Sequence, residues 1–311
     1  MTGAYREDGA ALMLTVGKER SLPIKVNASR DLLAVTFSAN GEHLLSGGRD
    51  QNVQVWRVQD GQRVATIEAK DVLCLAVSNN GKWIAGSTQR GEVFMWDTET
   101  YETVWKHDDS WTIEAVDFSP DSTQLVSGSR NRTAIIWDVA SGMKIRALQH
   151  NNWAIAAKFS SDGDRIATAT SQSVQVWDSK NGHLLVDIPV TVPSLYNNGL
   201  RWFNNHIFVV SGSKIKQLDA STGSMVSASA WPVPNSDIHS CIVIPRYGKF
   251  IACSTSRSVT FWDTSTYSYI GLVEHTEDIR SIALSPDNSS FAIGGCDGTI
   301  ITGGLPFAVS T

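Results

Sequence analysis

The feature that most constrains this chain is a repeat. Residues 114–142 read Glu-Ala-Val-Asp-Phe-Ser-Pro-Asp-Ser-Thr-Gln-Leu-Val-Ser-Gly-Ser-Arg-Asn-Arg-Thr-Ala-Ile-Ile-Trp-Asp-Val-Ala-Ser-Gly. Short apolar runs alternate with turn residues, and a Trp-Asp pair closes the third run. The stretch recurs with a period near forty residues. Self-similarity at that spacing means a repeat architecture in which each unit is one small sheet that stacks on its neighbours.

Two independent rulers count the units. The last apolar position of the first strand falls at Phe37, Val77, Phe118, Phe159, Phe203, Ile244 and Leu284, in steps of 40, 41, 41, 44, 41 and 40. The tryptophan position of the third strand falls at Trp56, Trp96, Trp137, Trp177, Leu218, Trp262 and Gly303, in steps of 40, 41, 40, 41, 44 and 41. Both give seven units. Each reads as four strands, a to d. In the second unit these are Val72–Val77, Lys82–Ser87, Gly91–Trp96 and about Glu102–Trp105. Asn40-Gly41, Asn80-Gly81 and Asp162-Gly163 suit the positive φ of tight hairpin loops. Strand a is nearly continuous apolar sequence, as expected of a strand buried on both faces. Strand d carries more polar residues and belongs at the rim.

Composition enters where it excludes. The net charge of -5 over 311 residues argues against general nucleic-acid binding by a basic body, so no nucleic-acid partner is expected. No window approaches eighteen consecutive apolar residues, and the N-terminus lacks an apolar signal core, so no membrane span is expected. Cys74, Cys241, Cys253 and Cys296 lie in apolar runs without CxxC spacing and read as small buried hydrophobes in a reducing compartment. Cys241 and Cys253 stand where a disulfide between neighbouring strands remains open. A cytoplasmic location is the default and a nuclear one is equally compatible.

The repeat resembles the WD40 family over almost the whole chain. Trp96-Asp97, Trp137-Asp138, Trp177-Asp178 and Trp262-Asp263 carry the likeness. Phe118-Ser-Pro-Asp, Leu284-Ser-Pro-Asp and the turn glycines Gly61, Gly142, Gly182 and Gly223 extend it. The resemblance implies an all-β fold, a seven-bladed β-propeller of four-stranded antiparallel blades around a central channel. Residues 1–311 then form one domain, with residues about 9–27 completing the last blade together with 279–303. Gly9–Thr15 resembles a strand c and Leu22–Val26 a strand d, while Thr299–Thr302 competes for the strand c place. The reading leans to two strands from each end. Either way the joined ends cover exposed sheet edges. The chain begins at a methionine and ends soon after the last strand, as a stand-alone propeller would, although a module of a larger protein would look the same.

The family often carries a His–Ser/Thr–Asp–Trp hydrogen-bond chain in each blade. By resemblance the third blade has His107, Ser127 and Trp137, with Asn131 in place of the acid. The fourth has His150, Thr168 and Trp177; the first Ser46, Asp50 and Trp56; the seventh His275 and Asp297. These residues are read as structural rather than catalytic. The fifth blade departs from the pattern: its hairpins are short, and the connections near Pro189–Asn198 and Trp231–Asp237 are long.

No G-x-S-x-G, P-loop, H-E-x-x-H or G-x-G-x-x-G is present, and the histidines show no metal-ligand spacing. Asp97, Asp138, Asp178, Asp219 and Asp263 repeat at one turn position, which is turn chemistry. An enzyme is not expected, nor a cofactor or metal. The expected function is a protein-protein interaction scaffold. Its binding face would be the one usually called the top, which holds the b–c loops and the d–a connections. Candidate contacts there are Trp111, Trp153, Trp231, Arg49, Arg90, Arg130 and Arg257. Exposed tryptophans are typical interface anchors, though each ring could instead pack on a neighbouring loop. The arginines, with Arg132 and Lys214, put cations on five of seven b–c loops; ordinary solvated turns would look the same. A small-molecule or glycan ligand is the alternative.

Overall fold

Each strand a is apolar enough to be buried on both faces, and each is followed by a turn that reverses the chain. In the computed structural model these strands form the inner wall of a ring. The structure describes residues 25–27, 32–49, 52–192, 199–212, 214–226, 231–232, 241–245 and 247–305. Among these, seven four-stranded antiparallel sheets hold the order a-b-c-d from the channel outward, and there are no helices. In the third blade the strands are Ile113–Phe118, Gln124–Ser129, Thr133–Asp138 and Lys144–Gln149. Burial falls from strand a, almost wholly buried, to strand d, mostly exposed.

The core lies between blades rather than within one. Ala115, Val126, Ile136 and Leu148 of the third blade pack against Ala157, Phe159, Ile166 and Trp177 of the fourth. Six other layers of the same kind close the circle. A sheet with two apolar faces cannot be stable alone, and burying it against two neighbours supplies the driving force at roughly 25 cal/mol per Å². None of the four cysteines is in a disulfide. Cys253 pairs with Ile242, one residue beyond Cys241, so the two thiols enter different inter-blade layers and the disulfide left open above does not form.

The seventh blade corrects the expectation of two strands from each end. The C-terminal part supplies three strands, Ile279–Leu284, Ser290–Gly295 and Thr299–Gly304. Lys25–Asn27 adds the outermost one, pairing Lys25 with Ile301 and Asn27 with Thr299. Thr299–Gly304 holds the strand c place because it pairs along its length with strand b, from Ser290↔Gly304 to Gly294↔Ile300. Gly303 stands where five of the other blades have tryptophan, and the Phe291 ring lies 3.0 Å from where its Cβ would be, filling the space an indole would take. Gly9–Thr15 lies outside the described residues.

The fifth blade shows a second correction. Trp202 pairs with Ile207, and Ile207 with Leu218, as Phe118 pairs with Leu125 and Leu125 with Trp137. Trp202 rather than Phe203 is therefore the equivalent of Phe118, and a tight turn through Asn204, at φ 51°, explains the short hairpin. Trp231 belongs to strand d of this blade, paired with Ile215, and not to a loop.

The structural hydrogen bonds follow the same register. Indole N–H groups donate to hydroxyls in the first, third and fourth blades: Trp56 to Ser46 at 2.9 Å, Trp137 to Ser127 at 2.8 Å and Trp177 to Thr168 at 2.8 Å. In the second blade Gly86 occupies the hydroxyl position, since it pairs with Phe94 as Ser127 pairs with Ile135. Trp96 turns over that glycine and stacks on Phe94 at 5.0 Å. In the sixth, Trp262 donates to Thr260 at 3.3 Å. The seventh joins His275 to Thr299 at 3.1 Å and Thr299 to Asp297 at 2.7 Å.

His107 does not join Ser127. Its Nε2 lies 2.7 Å from the Gly142 carbonyl, and its ring packs 4.8 Å from that of Trp137. The position equivalent to His150 is Asp109: their N–H groups bond the Gly91 and Arg132 carbonyls at matching places. Asp138 accepts from the N–H of Ser141, and Asp97, Asp178, Asp219 and Asp263 accept likewise in their own turns. These bonds hold the carboxyl groups below the usual range.

Candidate protein-binding face

The b–c turn of the third blade and the two d–a connections that flank it knit into one surface. Arg130 N–H donates to the Thr112 carbonyl at 3.0 Å, and Ala154 N–H to the Ser129 carbonyl at 3.0 Å. Thr112 Oγ1 donates to the Gln89 carbonyl at 3.0 Å, and Asn131 Nδ2 to Asp109 at 2.7 Å. Gly91 permits the closest approach. A Cβ there would lie 2.1 Å from the Asp109 carbonyl oxygen and 2.7 Å from that of Trp111, and its φ is +92°. Only glycine combines that conformation with that clearance. The connection bearing Trp111 is thus fixed against the second blade.

Trp111 is 55% exposed and Trp153 40% exposed. The Arg130 guanidinium lies over the Trp153 ring, 4.9 Å from its centroid, and its Nε donates to Glu114. Glu114 is buried, which raises its carboxyl pKa, and Arg130 opposes the rise. Strand a bulges between Ile113 and Ala115, which places Glu114 beneath the turn. Glu114 therefore holds Arg130 from below while Trp153 holds it flat from the side. Two restraints on one long side chain remove rotamer freedom that binding would otherwise have to remove. Glu114 was absent from the sequence-based candidates. Its signal was a second charge, beside Asp117, inside a mainly apolar strand a.

The remaining candidates divide. Arg90 pairs with Asp71 at 2.7 Å on the same face, and Arg257 stands 3.9 Å from Asp278 and 4.0 Å from Glu277. Arg49 is exposed. Three of the arginines thus face carboxylates, so the face is not a uniformly basic ring. Trp231 is not on it. It is 1% exposed, packed 5.7 Å from the Phe208 ring and 5.0 Å from the Tyr267 ring, and is part of the core. Among the described residues no group of His, Cys, Asp and Glu is arranged to hold a metal ion, and no helix is long and apolar enough to cross a membrane.

Comparison with known proteins agrees with the architecture. The model of the Nucleolar protein 10-like N-terminal β-propeller domain matches residues 25–220, more than half of the chain. The WD domain, G-beta repeat, matches residues 267–301. The chain belongs to the WD40-repeat β-propeller family. Among curated proteins it is similar to Eukaryotic translation initiation factor 3 subunit I of Sclerotinia sclerotiorum, at 21% identity covering 87% of this chain and 90% of that protein. It is similar to Autophagy-related protein 16 of Arabidopsis thaliana at 27% identity, covering 54% of this chain and 35% of that one. It is also similar to Target of rapamycin complex subunit LST8 of Mus musculus, at 21% identity covering 56% and 58%. Two of these three WD40 relatives are named as subunits.

Proposed function

We propose that this propeller is a non-catalytic scaffold that binds a protein or peptide segment on its top face, between the second and fourth blades. One observation carries the reading: an exposed tryptophan, Trp153, stacked with an arginine that a buried glutamate holds in place. Trp111, one residue from the Thr112 carbonyl that accepts from Arg130, supplies a second exposed aromatic anchor. Rigid aromatic surface beside an oriented guanidinium is the composition of an interface hot spot, where truncation costs roughly 2 kcal/mol or more. The relatives named as subunits support a role in an assembly. A cytoplasmic or nuclear setting accords with four cysteines outside any disulfide.

The test is affinity capture from an extract of the source cells. Wild type is compared with Trp111→Ala/Arg130→Ala and with Trp111→Ala/Trp153→Ala, which leaves the Arg130–Glu114 pair intact. The expected result is a protein captured by wild type and lost from both variants at unchanged thermal stability. An identical captured set from all three would reject the site. An empty capture from wild type would reject the protein ligand and turn attention to small molecules and glycans.

A further inference from the structure

The central channel carries a charge cluster that the top face does not use. Strand pairing puts Asp117, Lys158 and Arg201 at one level of the inner wall, in three consecutive blades. Each immediately precedes the residue paired to the start of strand b: Phe118 with Leu125, Phe159 with Ile166 and Trp202 with Ile207. Elsewhere on that level stand uncharged residues such as Thr36, Ala76 and Ala283. All of them line a cavity of about 470 Å³ at the end of the channel opposite the top face. Its size is that of a small-ligand site.

Among the described residues, the only charged ones lining this cavity are those three. Both oxygens of Asp117 are engaged: Lys158 Nζ lies 2.8 Å from one, and the Phe159 N–H donates to the other at 2.9 Å. Arg201 donates from Nη1 to the Leu200 carbonyl at 2.8 Å. It lines the same cavity as Asp117 of the third blade and Cys74 of the second, and the Asp117 carboxylate favours its charged form. Burial depresses its pKa, yet a guanidinium stays charged in proteins. Two cations against one carboxylate leave the lining with a net charge of about +1, in a confined space where charge is poorly solvated. A guanidinium and an ammonium lining one cavity supply the donors that fit a planar or tetrahedral oxyanion.

We infer that this end of the channel binds a compact anion, a carboxylate or a phosphate, between Arg201 and Lys158. The site is separate from the top face, so variants at Trp111 and Trp153 leave it unchanged.

The test is isothermal titration of the full chain with inorganic phosphate and with citrate, at fixed ionic strength maintained with chloride. The expected result is saturable binding of at least one. Phosphate alone would mark a phosphate site, citrate alone a carboxylate site, and both a site selecting on charge. Arg201→Gln should weaken binding about tenfold or more. Asp117→Asn keeps an acceptor for the Phe159 N–H while removing the negative charge, and should tighten binding about threefold or more. If Arg201→Gln loses its near-ultraviolet circular dichroism, the Asp117→Asn comparison decides. No saturable heat with either anion, unchanged affinity in folded Arg201→Gln, or weaker binding in Asp117→Asn would overturn the inference.

Discussion

His150 gives the fourth blade a pH-dependent stability that can be worked out from its surroundings. The imidazole is buried, with Nδ1 2.9 Å from the Leu148 carbonyl and Nε2 2.8 Å from Thr168 Oγ1. A carbonyl only accepts, so Nδ1 carries the proton and Nε2 receives the Thr168 hydroxyl, while the Trp177 indole donates to the same hydroxyl oxygen at 2.8 Å. Protonating Nε2 sets a donor against that hydroxyl and places a charge in the core. Burial lowers the pKa from 6.5 to about 4. The folded state then binds the proton less readily than the unfolded chain. Stability is complete above pH 6.5 and falls as the pH drops from there to about 4, below which this group adds no further loss. The full effect is about 3 kcal/mol, of which about 2 kcal/mol is lost between pH 7.5 and pH 5. Urea denaturation of wild type and His150→Gln at both pH values measures it. The variant should start less stable and lose about 2 kcal/mol less on acidification. Equal losses, or an imidazole that titrates near 6.5 by nuclear magnetic resonance, would refute the reasoning.

Three other perturbations test the fold. Gly142 and Gly212 both have positive φ, but a Cβ at Gly142 would lie 2.8 Å from the Trp105 ring while one at Gly212 meets nothing within 4 Å. Gly212→Ala should cost about 1 kcal/mol in thermal or urea unfolding, and Gly142→Ala clearly more; equal costs would contradict the packing. Ser127→Ala removes the acceptor of the Trp137 N–H and should cost about 1–2 kcal/mol, whereas Gly86→Ser adds a hydroxymethyl 2.5 Å from the Trp96 ring and should also destabilise, by about 1–3 kcal/mol. Deleting residues 1–27 removes the strand that pairs with Thr299–Ile301, and should lower the thermal midpoint of the whole ring; an unchanged midpoint would contradict closure by that strand.

What could be read from the chain was whatever each unit repeats. Trp137 and Asp138 mark a strand and a turn because the neighbouring units repeat them as Trp96-Asp97 and Trp177-Asp178, and Leu125 recurs as the apolar Ile84 and Ile166. Features settled by pairing rather than by pattern were harder to read. Gly303-Gly304 looks nothing like Trp-Asp, yet it sits in a strand c because Phe291 fills the missing indole's volume. His107 lies near a tryptophan in sequence, but strand pairing opposite Val93 sets it two residues away from the place His150 takes. Trp231 stands in a stretch rich in Pro, Asn and Ser, and only its pairing with Ile215 puts it in the core. On the top face, Trp111 and Trp153 are exposed where the repeat put them. The partner that orients Arg130, by contrast, is a buried acid at a strand-a bulge where the first, second and seventh blades carry Leu33, Leu73 and Arg280.

The most direct test of the scaffold account is hydrogen exchange of the propeller with and without the captured partner. The account predicts new protection in residues 89–92, 109–114, 129–133 and 150–154, the segments joined through Thr112, Ser129 and Gly91. Protection confined to the a–b turns or to the outer strands d, with these segments unchanged, would contradict it.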